Sequence, residues 1–130
     1  MASINVKTTL AVSPDELWSV VKDVGGISNL LGVITDSSLD GDQRSCTMGD
    51  GGELSETILG IDDNNRRVAY TITASPFPIE AHAASMQVSD AGGGKSTFQW
   101  ITDITPDALA EPFTDLMNGE LSGLEERYGV

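Results

Sequence analysis

Hydrophobic and polar residues alternate over residues 4–12, which is the pattern of a β-strand with one buried face. The tetrapeptide Ser13-Pro14-Asp15-Glu16 follows and predicts the start of a helix. The serine can cap the helix, proline fits its first turn, and the glutamate completes a capping box. We expect this helix to end near Gly25-Gly26 and a second short helix to cover residues 26–31.

From Val33 to Thr105 the apolar residues recur at every second position, and turn-forming sequences interrupt them at regular intervals. These turns are Asp40-Gly41-Asp42, Gly49-Asp50-Gly51-Gly52, Asp62-Asp63-Asn64-Asn65, Pro76-Phe77-Pro78 and Gly92-Gly93-Gly94. Short turns join antiparallel neighbours. This part of the chain therefore predicts six strands in an antiparallel meander.

After Thr105-Pro106-Asp107 the apolar residues recur at steps of three and four, which predicts one long amphipathic helix of about five turns. Its stripe comprises Leu109, Phe113, Leu116, Met117, Leu121, Leu124 and Tyr128. Gly119 and Gly123 interrupt this helix and are unfavourable relative to alanine. We expect them to let the helix lie close to the sheet or bend.

The order of elements predicts an α+β domain over residues 1–130, in which a curved seven-stranded antiparallel sheet wraps around the C-terminal helix. Two short helices follow the first strand. Aromatic residues make up only 5% of the chain. Because few large side chains are available to fill the space between sheet and helix, we expect an internal cavity there.

The net charge of −13 disfavours nucleic acid and anionic membranes as partners. No apolar run approaches the roughly 18 residues that membrane insertion requires. The N-terminal sequence has no features of a signal peptide, and the single cysteine, Cys46, has no partner for an internal disulfide. These observations favour a cytoplasmic protein, either a monomer or a homodimer.

The alternation along each strand also indicates which polar side chains face inward, since alternate residues share a face. The inward set comprises Arg44, Glu56, Tyr70, His82 and Trp100. The expected turns place Glu56 opposite Tyr70 and Cys46 opposite Glu56, with Arg44 beside Ile58. A carboxylate on an apolar face needs a partner or its pKa rises. Glu56 is thus either one half of a structural ion pair with Arg44 or a proton-transfer group.

Several motifs are excluded. Gly94-Lys95-Ser96 lacks the first glycine of a phosphate-binding loop, because position 89 is Ser89, and a strand follows it. The acidic turns lack the spacing of a calcium-binding loop. The sequence contains no cluster of cysteine and histidine that would hold a metal, and no dinucleotide-binding motif. We therefore expect neither a metal nor a cofactor.

The chain resembles the Bet v 1-like (START/SRPBCC) superfamily, and in particular its bacterial polyketide cyclase/dehydrase branch. The resemblance runs nearly end to end and depends on the order of several short motifs. These are Ser13-Pro14-Asp15-Glu16-Leu17-Trp18, Asp23-Val24-Gly25-Gly26, Asp50-Gly51-Gly52-Glu53-Leu54-Ser55-Glu56, Asp62-Asp63, Val68-Ala69-Tyr70, Pro76-Phe77-Pro78-Ile79 and Ser96-Thr97-Phe98-Gln99-Trp100. Many relatives carry a tryptophan, often followed by His-Pro, where this chain has Asn29-Leu30-Leu31-Gly32.

The resemblance implies a helix-grip fold with a cavity for a hydrophobic small molecule, and it leaves two functions open. In the first, a cofactor-independent cyclase or dehydratase acts on a polyketide-like substrate, with Glu56, His82 and Tyr70 exchanging protons. In the second, a carrier or sensor binds an apolar ligand such as a lipid, a polyketide or a hormone-like molecule, and the same residues only orient it. The side chains expected to contact the ligand are Arg44, Trp100, Met86, Leu30, Phe113 and Met117.

Overall fold

The chain forms one antiparallel sheet whose concave face is covered by helices; the computed structural model describes residues 1–130. The strands are β1 (Ala2–Leu10), β2 (Ile34–Asp40), β3 (Gln43–Met48), β4 (Glu53–Asp62), β5 (Arg67–Ala74), β6 (Ala81–Gly92) and β7 (Lys95–Thr105). The α-helices are α1 (Pro14–Val21) and α2 (Ala110–Tyr128). Two 3₁₀ helices, Val24–Asn29 and Asp107–Leu109, follow α1 and precede α2.

The seven strands lie in the order β1-β7-β6-β5-β4-β3-β2, and all neighbours are antiparallel. Six consecutive strands form the predicted meander, and β1 pairs with the last of them. The first two strands of the chain therefore occupy opposite edges of the sheet. The helical segment between them, α1 and the 3₁₀ helix Val24–Asn29, connects one edge to the other. The predicted helix-grip fold is confirmed.

Helix α1 begins as its sequence predicts, since the backbone N–H of Glu16 donates a hydrogen bond of 3.2 Å to Oγ of Ser13. It ends earlier than expected, at Val21, and the second helix is a 3₁₀ helix over Val24–Asn29 rather than residues 26–31. Gly26 breaks its regularity with non-helical backbone angles. This segment turns its apolar residues, Val24 and Ile27, into the core.

Helix α2 buries one stripe of side chains against the sheet, namely Phe113, Met117, Leu121 and Leu124. Gly119 and Gly123 lie on the opposite, exposed face. A Cβ atom added at either glycine would meet nothing within 4 Å. The expectation that these glycines allow close packing is therefore wrong, because the surface that they present faces solvent.

Polar contacts fix α2 to the segment that precedes β2. The carboxylate of Glu120 accepts hydrogen bonds from the backbone N–H groups of Gly32 and Val33, at 3.0 and 2.9 Å. Arg127 donates to the backbone carbonyl of Asn29. The helix thus holds the chain that leaves the 3₁₀ helix in place over the end of the sheet.

A continuous hydrophobic core of 27 buried residues lies between the sheet and the helices. Its fully enclosed members include Leu10, Leu17, Phe98 and Ile104. Neither α-helix has the length and apolar composition that a membrane crossing requires.

Candidate ligand-binding site

A cavity of about 60 Å³ lies between the concave face of the sheet and α2. Of its 17 lining residues, 13 are hydrophobic. Strands β3 to β7 form its floor, Phe113, Leu116 and Met117 of α2 form its roof, and residues between Ile27 and Ile34 close one side. The expected internal cavity is present, but it is much smaller than the roughly 300–1,000 Å³ of sites for drug-sized molecules.

An ion pair crosses the floor of the cavity between β3 and β4. Nε of Arg44 donates to Oε1 of Glu56 at 2.8 Å, and the two residues are directly opposite in the sheet. Only 2% of Arg44 and 5% of Glu56 is exposed. Arg44 also donates to the carbonyl of Val24, and the thiol of Cys46 lies 3.4 Å from the same Glu56 oxygen. These contacts hold Glu56 as a paired carboxylate, and burial together with its negative charge raises the pKa of Cys46 to about 12.

Tyr70 and Trp100 form the middle of the floor, on β5 and β7. The indole N–H of Trp100 donates to the hydroxyl oxygen of Tyr70 at 3.0 Å, and both side chains are buried. The guanidinium carbon of Arg44 lies 5.0 Å from the centre of the Tyr70 ring. Burial and the nearby charge of Glu56 raise the pKa of Tyr70. The phenol is therefore a neutral hydrogen-bonding group.

His82 on β6 has a defined tautomer. Its Nδ1 accepts a hydrogen bond of 3.0 Å from the backbone N–H of Ile72. A ring nitrogen that accepts cannot carry the proton, so the proton of the neutral ring is on Nε2. Burial lowers the pKa of His82 to about 4, and the charge of Asp103 opposes this shift only in part. At neutral pH, His82 is thus an uncharged N–H donor at the cavity.

Four polar side-chain atoms of the residues that line the cavity have no hydrogen-bond partner within the protein. They are Nη2 of Arg44, the second carboxylate oxygen of Glu56, Nε2 of His82 and the hydroxyl of Thr102. No fully enclosed side-chain nitrogen or oxygen atom lacks a partner anywhere in the chain. None of these four atoms is therefore fully enclosed, and the residues that carry them give an otherwise apolar cavity a polar floor.

The structure brings together most of the residues that the sequence indicates. Arg44, Glu56, Tyr70, His82 and Trp100 all line the cavity, as do Phe113 and Met117. Leu30 and Met86, which were expected to contact a ligand, do not line it. Both are buried in the surrounding core instead, and Met86 lies four residues along β6 from His82, the residue of this strand that lines the cavity.

The expected pairings across the sheet are wrong by two residues. Arg44, not Cys46, is opposite Glu56, because the loop between β3 and β4 begins one residue earlier and the N–H of Met48 donates to the carbonyl of Gly52. Tyr70 is opposite Ile58 rather than Glu56. There the turn is longer, and a bulge between Ile58 and Gly60 inserts one residue into β4.

Ten of the 17 lining residues were not identified from the sequence as members of a site, and Thr102, Ile72 and Phe77 are among them. Thr102 has the same alternation as Phe98, Trp100 and Ile104, so the pattern of β7 already indicated that it faces inward. Ile72 and Phe77 also line the cavity. Phe77 lies within the turn Pro76-Phe77-Pro78, where an aromatic residue between two prolines was the available signal. Its ring packs edge-on against Phe113, with centres 5.3 Å apart.

Solved structures with the same fold match the chain over almost its entire length. XoxI from Bacillus cereus is 22% identical with a TM-score of 0.92, and the match covers 98% of this chain and 96% of XoxI. The di-domain aromatase/cyclase BexL is 13% identical with a TM-score of 0.82, covering 97% of this chain and 46% of BexL. Norcoclaurine synthase from Thalictrum flavum is 17% identical with a TM-score of 0.71, covering 95% and 90%. At such identities the likeness shows a shared fold.

Comparison with curated proteins gives no match to the sequence. A family model described as polyketide cyclase / dehydrase and lipid transport matches residues 1–127. The match spans the sheet, both α-helices and every residue of the polar floor. The chain therefore belongs to the polyketide cyclase / dehydrase and lipid transport family, within the Bet v 1-like (START/SRPBCC) superfamily.

Proposed function

We propose that the protein binds a hydrophobic small molecule that carries a carbonyl or hydroxyl oxygen, and that it holds this molecule without changing it. The observation that supports this proposal is the fixed tautomer of His82. Because Ile72 donates to Nδ1, the free nitrogen of the ring presents an N–H to the cavity. An uncharged donor in an apolar cavity suits a ligand oxygen, since a buried donor without a partner is unfavourable.

The protonation states on the cavity floor favour binding over proton transfer. A general acid or base is most effective when its pKa lies near the working pH. The pKa of His82 is about 4, and that of Tyr70 is raised above its usual value. Glu56 is paired with Arg44 at 2.8 Å. At neutral pH His82 and Tyr70 are thus uncharged, and the carboxylate of Glu56 is paired with the guanidinium of Arg44.

A second candidate function is cyclisation or dehydration of a polyketide-like substrate, and one observation favours it. The second oxygen of Glu56 has no partner and opens onto the same cavity as the N–H of His82. In this function His82 would hold a substrate carbonyl oxygen while Glu56 accepts a proton from the adjacent carbon. The family description and the aromatase/cyclase BexL support this alternative.

The two functions differ in what happens to a bound molecule. A medium-chain 2-alkanone such as 2-nonanone tests binding by calorimetry and by ¹H–¹⁵N NMR. We expect saturable shifts at cavity residues and, for His82→Leu, about a tenfold loss of affinity for the ketone with little change for nonane. The absence of saturable binding by any ketone, alcohol or alkane of this length contradicts the proposed function.

Catalysis is tested with the ligand that remains bound to the purified protein, identified by native mass spectrometry. We expect this ligand to be recovered unchanged after incubation. Conversion that stops in Glu56→Gln, while the affinity stays within a few-fold of wild type, establishes the enzyme instead. The same variant then separates proton transfer from simple orientation of the ligand.

A further inference from the structure

A second space lies directly outside the cavity, between the ends of β5 and β6. This outer cleft has a volume of about 330 Å³ and is lined by residues 72–75, Phe77 and residues 79–81. Ile72 and Phe77 line both the outer cleft and the inner cavity. The two spaces thus adjoin at these two residues, and both side chains are only half-buried.

The cleft exists because the backbone pairing between β5 and β6 ends near His82. Backbone pairing between the two strands runs from Arg67↔Gln87 to Tyr70↔Ala84 and goes no further. Beyond it, the N–H of Ile72 donates to the ring of His82 rather than to a backbone carbonyl. The imidazole occupies the place of a ladder hydrogen bond and so keeps the strands apart. The residue that presents a donor to the cavity therefore also opens the cleft.

The volumes indicate that a ligand of ordinary size that reaches the polar floor must also occupy the outer cleft. The inner cavity of about 60 Å³ holds only a small fragment of a molecule. The outer cleft of about 330 Å³ alone falls within the range of roughly 300–1,000 Å³ that ligand sites have. A ligand that occupies both would pass Ile72 and Phe77, the two residues that the spaces share, beside the edge-on contact of Phe77 with Phe113.

The residues that line the cleft restrict which chemical group can form the outer end of the ligand. Its apolar members are Ile72, Ala74, Phe77, Ile79 and Ala81, and its polar members are Thr73, Ser75 and Glu80. Glu80 is the one charged side chain there, and no basic residue lines the cleft. The whole chain also has a net charge of −13. An anionic group at this end would meet repulsion without compensation.

We infer that the cavity and the cleft form one elongated site for a chain-like amphiphile. In this arrangement the oxygen of the ligand accepts from His82, its apolar chain passes Phe77, and its outer end is polar but neutral or cationic. This inference depends on the proposed function, since it assigns the inner end of the same ligand. It excludes, as preferred ligands, molecules that carry an anionic group at the outer end.

The test measures how affinity depends on chain length. The probes are 2-alkanones of five, nine and thirteen carbons, titrated by calorimetry into the full chain and into Ala81→Trp, which fills the outer cleft. Each added CH₂ that becomes buried should raise the affinity by about fourfold. We expect this gain to continue through thirteen carbons in the wild type. In Ala81→Trp it should stop at the length that reaches Phe77, while the five-carbon probe binds both proteins equally.

Leu59→Trp is the matched control, because Leu59 is exposed on β4 and lines neither space. It should bind like the wild type. Ala74→Phe fills the cleft from the opposite strand and replaces Ala81→Trp in the test if that variant fails to fold. A thirteen-carbon ω-amino ketone should bind at least tenfold more tightly than the matching ω-carboxylate, and Glu80→Gln should reduce that preference.

The outcomes separate this inference from the proposed function. If no alkanone binds the wild type, the proposed function fails. If the short ketone binds but the wild type, Ala81→Trp and Ala74→Phe show the same dependence on chain length, the elongated site is wrong while the inner site stands. A preference for the ω-carboxylate contradicts the assignment of the outer end.

Discussion

Nε of Arg44 lies 2.8 Å from Oε1 of Glu56, and both side chains are almost fully removed from solvent. The pair spans two directly opposite positions of β3 and β4. It lies on the floor of the cavity, beneath the α2 side chains that form the roof. A buried ion pair of this kind is weak evidence for stability, but the loss of one partner leaves the other charge uncompensated.

We therefore predict that Arg44→Met and Glu56→Leu each destabilise the protein by about 3–5 kcal/mol. The double variant should recover most of this loss, since it leaves no unpaired charge in the core. Urea unfolding monitored by circular dichroism measures all three. The exposed pair of Arg66 and Asp15 is the control, and Asp15→Asn should change stability by less than about 1 kcal/mol. Additive effects of the two core changes would contradict a direct coupling.

The buried imidazole of His82 predicts a loss of stability in mild acid. Its pKa is about 4 in the folded protein against an ordinary value of 6.5. Between these values the unfolded chain binds more protons, so the contribution of His82 is complete above pH 6.5 and is lost as the pH falls toward 4. The slope approaches at most about 1.4 kcal/mol per pH unit.

His82→Asn tests this pH dependence, because its amide oxygen can accept the hydrogen bond from Ile72 but does not titrate in this range. Unfolding free energies of both proteins at intervals between pH 7.5 and 4 give the comparison. We expect the difference between them to change steadily below pH 6.5. If the two curves run parallel, the pKa of His82 is the same in the folded and the unfolded protein, which contradicts the prediction.

The exposed glycines of α2 predict a simple route to greater stability. Alanine at Gly119 or Gly123 meets no neighbour and should stabilise the protein by about 0.5–1 kcal/mol at each position. Gly51 is the matched control, since its φ of 88° places it in the left-handed region. Gly51→Ala should instead destabilise the protein by about 1–2 kcal/mol. Thermal unfolding of the three variants measures these effects, and a loss of stability at Gly119 would contradict the prediction.

The hydrogen bonds of the Glu120 carboxylate predict that its removal loosens the backbone beside the cavity. It accepts from the N–H groups of Gly32 and Val33, and Val33 lines the cavity. Glu120→Ala should cost about 1–2 kcal/mol and speed hydrogen exchange at these two amides. Glu126→Ala, on an exposed position of the same helix, should leave both exchange rates unchanged. Glu120→Gln should fall between them, because it keeps one acceptor.

The sequence predicted which side chains face inward better than which residues are paired. Two residues of a strand share a face when their positions differ by an even number. An error of one residue in the centre of a turn changes the predicted partner of each residue by two positions, so the predicted face stays the same. The misplaced turn at Gly49-Asp50-Gly51-Gly52 therefore kept Arg44 and Glu56 on the inner face and still assigned the wrong neighbours. Four consecutive turn-forming residues gave no means of choosing where the loop begins.

Other features required the folded structure because they depend on contacts between distant segments. The bulge beside Leu59 leaves no periodic signal, and together with the longer turn between Asp62 and Arg67 it places Tyr70 opposite Ile58. The tautomer of His82 depends on the backbone N–H of Ile72, ten residues earlier in the chain. The two residues come into contact only because the chain turns back through Pro76-Phe77-Pro78. Leu30 is apolar and is next to Leu31, which does line the cavity. Nothing in the sequence distinguishes the two leucines.

The position of β1 has a consequence for synthesis on the ribosome. This strand is made first, yet its only partner in the sheet is β7, with Ala2 opposite Ile104 and Leu10 opposite Ser96. Until the last quarter of the chain has emerged, the buried residues Ile4 and Leu10 have no sheet to join. Closure of such a long loop is slow compared with hairpin formation. The meander can thus assemble as the chain emerges, whereas the sheet and the cavity floor beneath α2 are completed only after β7 has been made.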